Sequence, residues 1–236
     1  MYKALIITPV KDSIETTIST IKSVKNSTGN YLYYIYNDFS TENNSKLLEK
    51  VCNQYHLKLI NLKTLTQNPS PNYRLILQHA QKKALKFNLP VIIIESDIEV
   101  NNTTIKELIN SSEELENIGL IGCITKDRNG EVNYPYKKFK NEKNSIINTN
   151  RSLSFCCTLL STNFLKAYNF KQLNTNKHWY DISISRKSKN LGFNNYLLTT
   201  NSVIHTPHSS RPWKLIKYKN PIKYYILKII KGFDKI

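Results

Sequence analysis

Apolar positions along this chain alternate between short continuous runs and helical spacing. The densest run is residues 91–94, Val-Ile-Ile-Ile, β-branched throughout and introduced by Pro90. Such a run predicts a strand buried on both faces in the middle of a sheet. Residues 2–8, 31–36, 58–62, 120–125 and 196–205 read as further strands, and structure resumes over 153–160 after a polar stretch. Between them, Ile14, Ile18, Ile21 and Val24 mark a helix over 14–25, with Asp12 or Ser13 as its cap. Other helices are predicted over 45–55, 73–87, 104–116, 163–168 and 179–189, and Thr104 with Glu107 fits a capping box for the fourth. This alternation predicts βαβ units and a largely parallel sheet, an α/β fold.

Two regions break the alternation. Residues 126–151 are polar, carry the turn Asp127-Arg128-Asn129-Gly130, and read as a long excursion or flap. From Arg211 the chain becomes basic. Ile222, Tyr225, Ile226, Ile229, Ile230 and Phe233 then fall on one side of a helix, with Lys228, Lys231 and Lys235 opposite. The expected organisation is one domain over 1–210, with halves 1–125 and 126–210, followed by an amphipathic tail over 211–236.

Composition narrows the functional classes. The formal charge of +17 creates a positive field that attracts nucleic acid, anionic lipid or nucleotide diphosphates without choosing among them. No apolar run approaches the ~18 residues that a spanning helix needs. The chain opens on strand-like residues with no signal-peptide pattern, and Cys52, Cys123, Cys156 and Cys157 lack metal-ligand spacing. Packed, reduced thiols in a cytosolic protein are the expectation, with Cys156 and Cys157 pointing to opposite faces of a strand.

The chemistry is expected where the strands end. Strands one, two and four each run into a carboxylate: Asp12, Asp38, and Glu95-Ser96-Asp97 followed by Glu99. Parallel strands share their carboxyl ends, so these clusters converge on one crevice. Carboxylates there can hold a hard divalent cation that clamps phosphates, or they can simply close strands as polar loops. No glycine-rich phosphate loop is present, which argues against dinucleotide oxidoreductases and P-loop enzymes.

The ordered set of motifs resembles the family 2 glycosyltransferases of GT-A fold. Ile6-Ile7-Thr8-Pro9-Val10-Lys11-Asp12 matches the first strand and nucleotide loop of that family. Tyr36-Asn37-Asp38-Phe39-Ser40-Thr41-Glu42 is similar to its Asp-Asp-Gly-Ser-Thr-Asp motif, with Asn37 and Phe39 as departures. Glu95-Ser96-Asp97 stands in the place of its Asp-x-Asp motif, and 155–170 resembles the acceptor-side segment. Tyr180-Asp181 stands where the family has Glu-Asp, ahead of Leu191-Gly192-Phe193, and His205 matches its late histidine.

The resemblance implies a site. Asp38 would recognise the base, Thr8 and Pro9 would wall its pocket, and Asp12 and Ser96 would line the nucleotide-sugar site. Glu95 would lie near the ribose, and Arg74 would contact the nucleotide. Asp97 and His205 would hold a divalent metal, Mn or Mg, on the diphosphate, and Asp181 would be the general base. The implied reaction is metal-assisted, inverting sugar transfer from a nucleotide-diphosphate-sugar to a saccharide or lipid-linked acceptor, in cell-surface polysaccharide biosynthesis. The tail would fold back against the domain, self-associate, or hold the enzyme peripherally against an anionic membrane, on the inner face of the cell membrane. Two alternatives stay open: a degenerate GT-A domain that binds nucleotide without transfer, and a basic nucleic-acid-binding module. Scattered basic residues and the lack of a binding motif argue against the second, so no nucleic acid partner is expected. His79, His178 and His208 receive no role.

Overall fold

The computed structural model describes residues 1–134, 136–174, 179–206, 216 and 220–231. His178, His208, Arg211, Phe233 and Lys235 lie outside the described residues, as do the side chains of Lys228, Ile229 and Lys231. Strands β1 (Ala4–Val10), β2 (Tyr31–Asn37), β3 (Lys58–Asn61) and β4 (Val91–Ile94) form the first half of the sheet. They lie in the order β3-β2-β1-β4, parallel throughout. The second half holds β5 (Ile98–Glu99), β6 (Ile118–Lys126), β7 (Ile146–Asn148), β8 (Cys157–Leu160) and β9 (Asn194–His205). Here β8 enters antiparallel between β4 and β6, β9 runs parallel to β6, and β5 and β7 pair antiparallel with β9. The parallel character expected of the sheet therefore describes its first half, and the second half is mixed.

Helices cover both faces. Helices α1 (Ile14–Asn26), α2 (Glu42–Gln54) and α4 (Thr104–Glu114) cover one, and α3 (Tyr73–Phe87), α5 (Thr162–Ala167) and α6 (Tyr180–Asn190) the other. The strand pattern follows this layering. In β4, Val91 and Ile93 pack toward α3, while Ile92 and Ile94 pack toward α1 and α4. Removing such side chains fully from water contributes roughly 1.5–3 kcal/mol each, which explains the unbroken run.

Some local expectations differ in detail. Thr103, not Thr104, precedes α4, and it donates to Glu107 through its side chain while making no capping bond to the backbone. Thr104 turns inward, to Asn101 and Asn201. All four cysteines are free and buried. Cys156 sits just ahead of β8, so it packs in the same core as Cys157 and not on the opposite face. The polar excursion is partly ordered: Lys126 bridges Val132, Tyr136–Phe139 makes a 3-10 turn, and 146–148 supplies β7.

Helix α6 is seated by small groups. A Cβ on Gly119 of β6 would come within 1.8 Å of Ser188 Oγ and 2.9 Å of Phe193 Cβ, so glycine allows the close approach. Asn195 accepts from Ser188 and donates to the Ser185 carbonyl, locking the helix to β9. These contacts fix Asp181 in the first turn of α6. A last helix, α7 (Pro221–Lys231), follows. Among the described residues, no helix is long and apolar enough to cross a membrane.

Candidate active site

The carboxyl ends of β1, β2 and β4 lie side by side, as their parallel registers require. The loops after β1 and β2 are bonded together. Asp12 Oδ1 accepts from the Thr41 amide at 2.6 Å and from Asn44 at 3.2 Å, and the Lys11 ammonium lies 2.8 Å from Asp12 Oδ2. Burial pushes the Asp12 carboxyl up, but the lysine and these donors prevail and hold it down at about 2. Asp12 thus works as a clasp between two loops.

Asn37 occupies the first acidic position of the family motif and is likewise structural. It donates to Ser45 and Asn61 and accepts from the Ser40 amide. Phe39, where the family has glycine, takes a φ of 57°. The loop keeps its left-handed conformation at the cost a side chain pays there. Lys11 donates to the Phe39 carbonyl.

Asp38 is buried and accepts three hydrogen bonds of 2.8 Å, from Ser70 Oγ, the Asn72 amide and Asn72 Nδ2. It organises the segment that enters α3. Thr8 is buried with its hydroxyl 2.9 Å from that of Tyr33, on the α1 side of the sheet, whereas the half-buried Pro9 belongs to the other side. Arg74 donates to the Lys171 carbonyl, which directs its guanidinium toward the acceptor half.

After β4 the chain turns tightly, with the Ile98 amide donating to the Glu95 carbonyl. Helix α1 receives this turn: Thr20 Oγ1 accepts from the Ile98 amide and Ser23 Oγ from that of Val100. Ser96 Oγ lies 3.3 Å from Ser13 Oγ, joining the turn to the β1 loop. The pairing of β5 with β9 sets Ile98 opposite His205 and brings His205 Nε2 to 3.2 Å from Asp97 Oδ2, both side chains buried. The fold thus brings together two residues 108 positions apart in sequence.

A second carboxylate lies near several tyrosines. Asp181 lies close enough for its charge to add to burial in raising the hydroxyl pKa values of Tyr73, Tyr136 and Tyr225. Glu95 acts on Tyr73 in the same sense. The Tyr73 ring runs parallel to those of Phe155 and Tyr180, at centroid distances of 6.4 and 6.2 Å. Cys156 Sγ faces Glu95 at 3.8 Å.

Helix α7 reaches this region. The hydroxyls of Tyr225 and Tyr134 lie 2.7 Å apart, linking the tail to the 126–151 excursion, and Tyr224 is 3% exposed. The tail's buried face therefore centres on Tyr224 and Tyr225, whereas Ile222, Ile226 and Ile230, expected on the same apolar face as Tyr225, are 75%, 51% and 74% exposed. None of these tyrosines was singled out in sequence as a site residue. Fifteen of the 236 residues are tyrosine, so no single one stands out. His79 pairs with the Tyr36 hydroxyl and is a packing residue.

A three-layer α/β domain whose buried acidic turn follows a central strand, with a late histidine beside it, has the GT-A fold of nucleotide-sugar transferases. Residues 5–170 match the model of the family described as glycosyl transferase family 2. The chain belongs to that family. Among solved structures it is similar to "Mannosyltransferase PcManGT from Pyrobaculum calidifontis in complex with GDP-Man and Mn2+". The TM-score is 0.65 at 12% identity, over 97% of this chain. The chain spans 65% of the length of that structure, and at this identity the likeness shows the fold alone. No curated protein matches.

Proposed function

We propose that this chain transfers a sugar, with inversion, from a nucleoside-diphosphate donor to a hydroxyl of a saccharide or lipid-linked acceptor. The observation that carries this is the buried Asp97–His205 pair just past the end of a central strand in a family 2 chain. In the transfer, the acceptor oxygen bonds to the anomeric carbon as the bond from that carbon to the diphosphate oxygen breaks. The electron pair leaves with the diphosphate, and Asp181 takes the acceptor proton. Pro9, Asp12, Asp38 and Ser96 frame the base and ribose side, with Glu95 near the ribose. Among the described residues Asp38 Oδ1 accepts a single bond, so it keeps capacity to accept one from a base N–H.

Asp97 and His205 suit a divalent ion, Mn or Mg. Such ions take one or two protein ligands and complete their shell with water and substrate phosphate. Among the described residues no cluster of three or more His, Cys, Asp or Glu side chains forms an all-protein cage, and this donor set does not require one. When bound, the ion neutralises charge developing on the leaving diphosphate. The neighbour's GDP-Man and Mn2+ support this choice of ligand class.

The acceptor side is proposed to work at an anionic membrane surface. Helix α7 rests on the domain through Tyr224 and Tyr225 and turns Ile222, Ile226 and Ile230 outward, with Lys223 exposed beside them. Apolar residues flanked by lysine on a chain of charge +17 suit a lipid interface. A cytoplasmic, peripheral enzyme of cell-surface polysaccharide synthesis is consistent with this placement. The test is a thermal-shift panel of nucleotide-sugars with and without manganese. A metal-dependent rise with one donor is expected, and no rise with any would reject the reading.

A further inference from the structure

Tyr73 opens helix α3, and its hydroxyl is buried without a hydrogen-bond partner among the described residues. A buried hydroxyl is normally satisfied, and an orphan in a native site calls for an explanation. The ring cannot turn the group elsewhere cheaply, since it packs parallel to Phe155 and Tyr180. The hydroxyl stays neutral: burial raises its pKa first, and Glu95, Asp181 and Cys156 then raise it further. A neutral phenol there is a donor packed against Phe155 and Tyr180. The residues next to these are Cys156, 3.8 Å from Glu95, and Asp181; Glu95 and Asp181 are the two carboxylates assigned above to the ribose side and the acceptor proton.

We infer that Tyr73 is a sugar-positioning residue, whose hydroxyl donates a hydrogen bond to a hydroxyl of the transferred sugar once donor is bound. This rests on the proposed transfer and adds to it the group that distinguishes a sugar-bearing donor from the bare nucleotide. The orphan is what makes the idea testable. A hydroxyl that serves the fold costs stability when removed, whereas one waiting for a ligand costs binding and not stability.

The experiment compares Tyr73→Phe with the parental full chain. Melting without ligand is followed by calorimetry with manganese and GDP, UDP, GDP-mannose, UDP-glucose, UDP-galactose and UDP-N-acetylglucosamine. Tyr36→Phe serves as the control, because the Tyr36 hydroxyl already bonds His79 at 2.9 Å. The expected result is that Tyr73→Phe melts at or above the parental temperature and binds the preferred nucleotide-sugar roughly tenfold more weakly. Binding of the matching nucleoside diphosphate should stay within about twofold of parental. Tyr36→Phe should lose stability and keep both affinities. Equal affinity of Tyr73→Phe for the nucleotide-sugar, an equal loss for the bare diphosphate, or a lowered melting temperature would each overturn the inference. If the parental chain binds no nucleotide-sugar, the proposed transfer itself fails, and that measurement is made before any variant is compared.

Discussion

The loops after β1 and β2 and the surroundings of Asp181 treat polar groups in opposite ways. In the first region Asp12, Asn37 and Asp38 bond to backbone amides and side chains of neighbouring loops. In the second, carboxylates lie near tyrosines, and the Tyr73 hydroxyl finds no partner among the described residues. The first arrangement is ordered by its own hydrogen bonds, and a loop ordered beforehand lowers the ordering cost of any binding there. The second leaves chemistry to be completed by substrate. A family can keep the first region's shape while side chains change, as Phe39 shows by holding a left-handed φ of 57° where glycine is usual in the family motif.

Substitutions can break this contrast, and the largest effect is expected at Asp181. Asp181→Asn should lower transfer by roughly 10²–10⁴-fold while donor affinity stays near parental. Turnover near parental on a true acceptor would remove Asp181 from the mechanism and leave the nearby tyrosines as packing.

Asp97→Asn should weaken metal-dependent donor binding by roughly 10–100-fold, with metal-independent binding and melting little changed. Calorimetry with and without manganese reads this directly. Undiminished affinity would take the ion away from Asp97.

A smaller effect is expected at the tail. Replacing Ile222 and Ile226 by serine should reduce sedimentation with anionic vesicles by roughly tenfold, at ~1 kcal/mol or more per buried apolar side chain. Stability should not fall, because both residues are exposed. Unchanged vesicle binding would mean that α7 only closes the acceptor side.

The smallest effect is expected at the clasp. Asp12→Asn should cost about 1–2 kcal/mol at neutral pH, read by denaturant unfolding. The folded carboxyl titrates at about 2, below its unfolded value. Its contribution is therefore complete above about pH 4 and is lost as the pH falls through the folded value. The gap between variant and parent should close in that window. A gap that does not change with pH would mean that lost packing, not charge, is responsible.

Much of the first region was legible because its information is local. A continuous run such as Val91–Ile94 is a strand buried on both faces whatever surrounds it, and α3 begins and ends where its periodicity does. The carboxylates at strand ends followed from the parallel order. What those carboxylates bond to did not follow: Asp38 is satisfied by Ser70 and Asn72, more than thirty positions away in the chain. The cap before α4 also differed, because Thr104 finds an inward partner in Asn201.

Sequence by itself determined the alternation of strands and helices, the family, the acidic turn after β4 and the amphipathic character of the tail. Apart from the family, which rests on the order of motifs along the chain, each depends on neighbours within a few positions, where period and residue type carry the physics. Only the tertiary structure decided that β8 inserts antiparallel beside β4, that Asp97 meets His205, and that Tyr225 of the tail closes on Tyr134 near Asp181. It also decided that, among the described residues, the buried hydroxyl of Tyr73 is left without a partner. Those outcomes depend on pairing across long stretches of chain, where many registers satisfy the same local pattern and packing selects one.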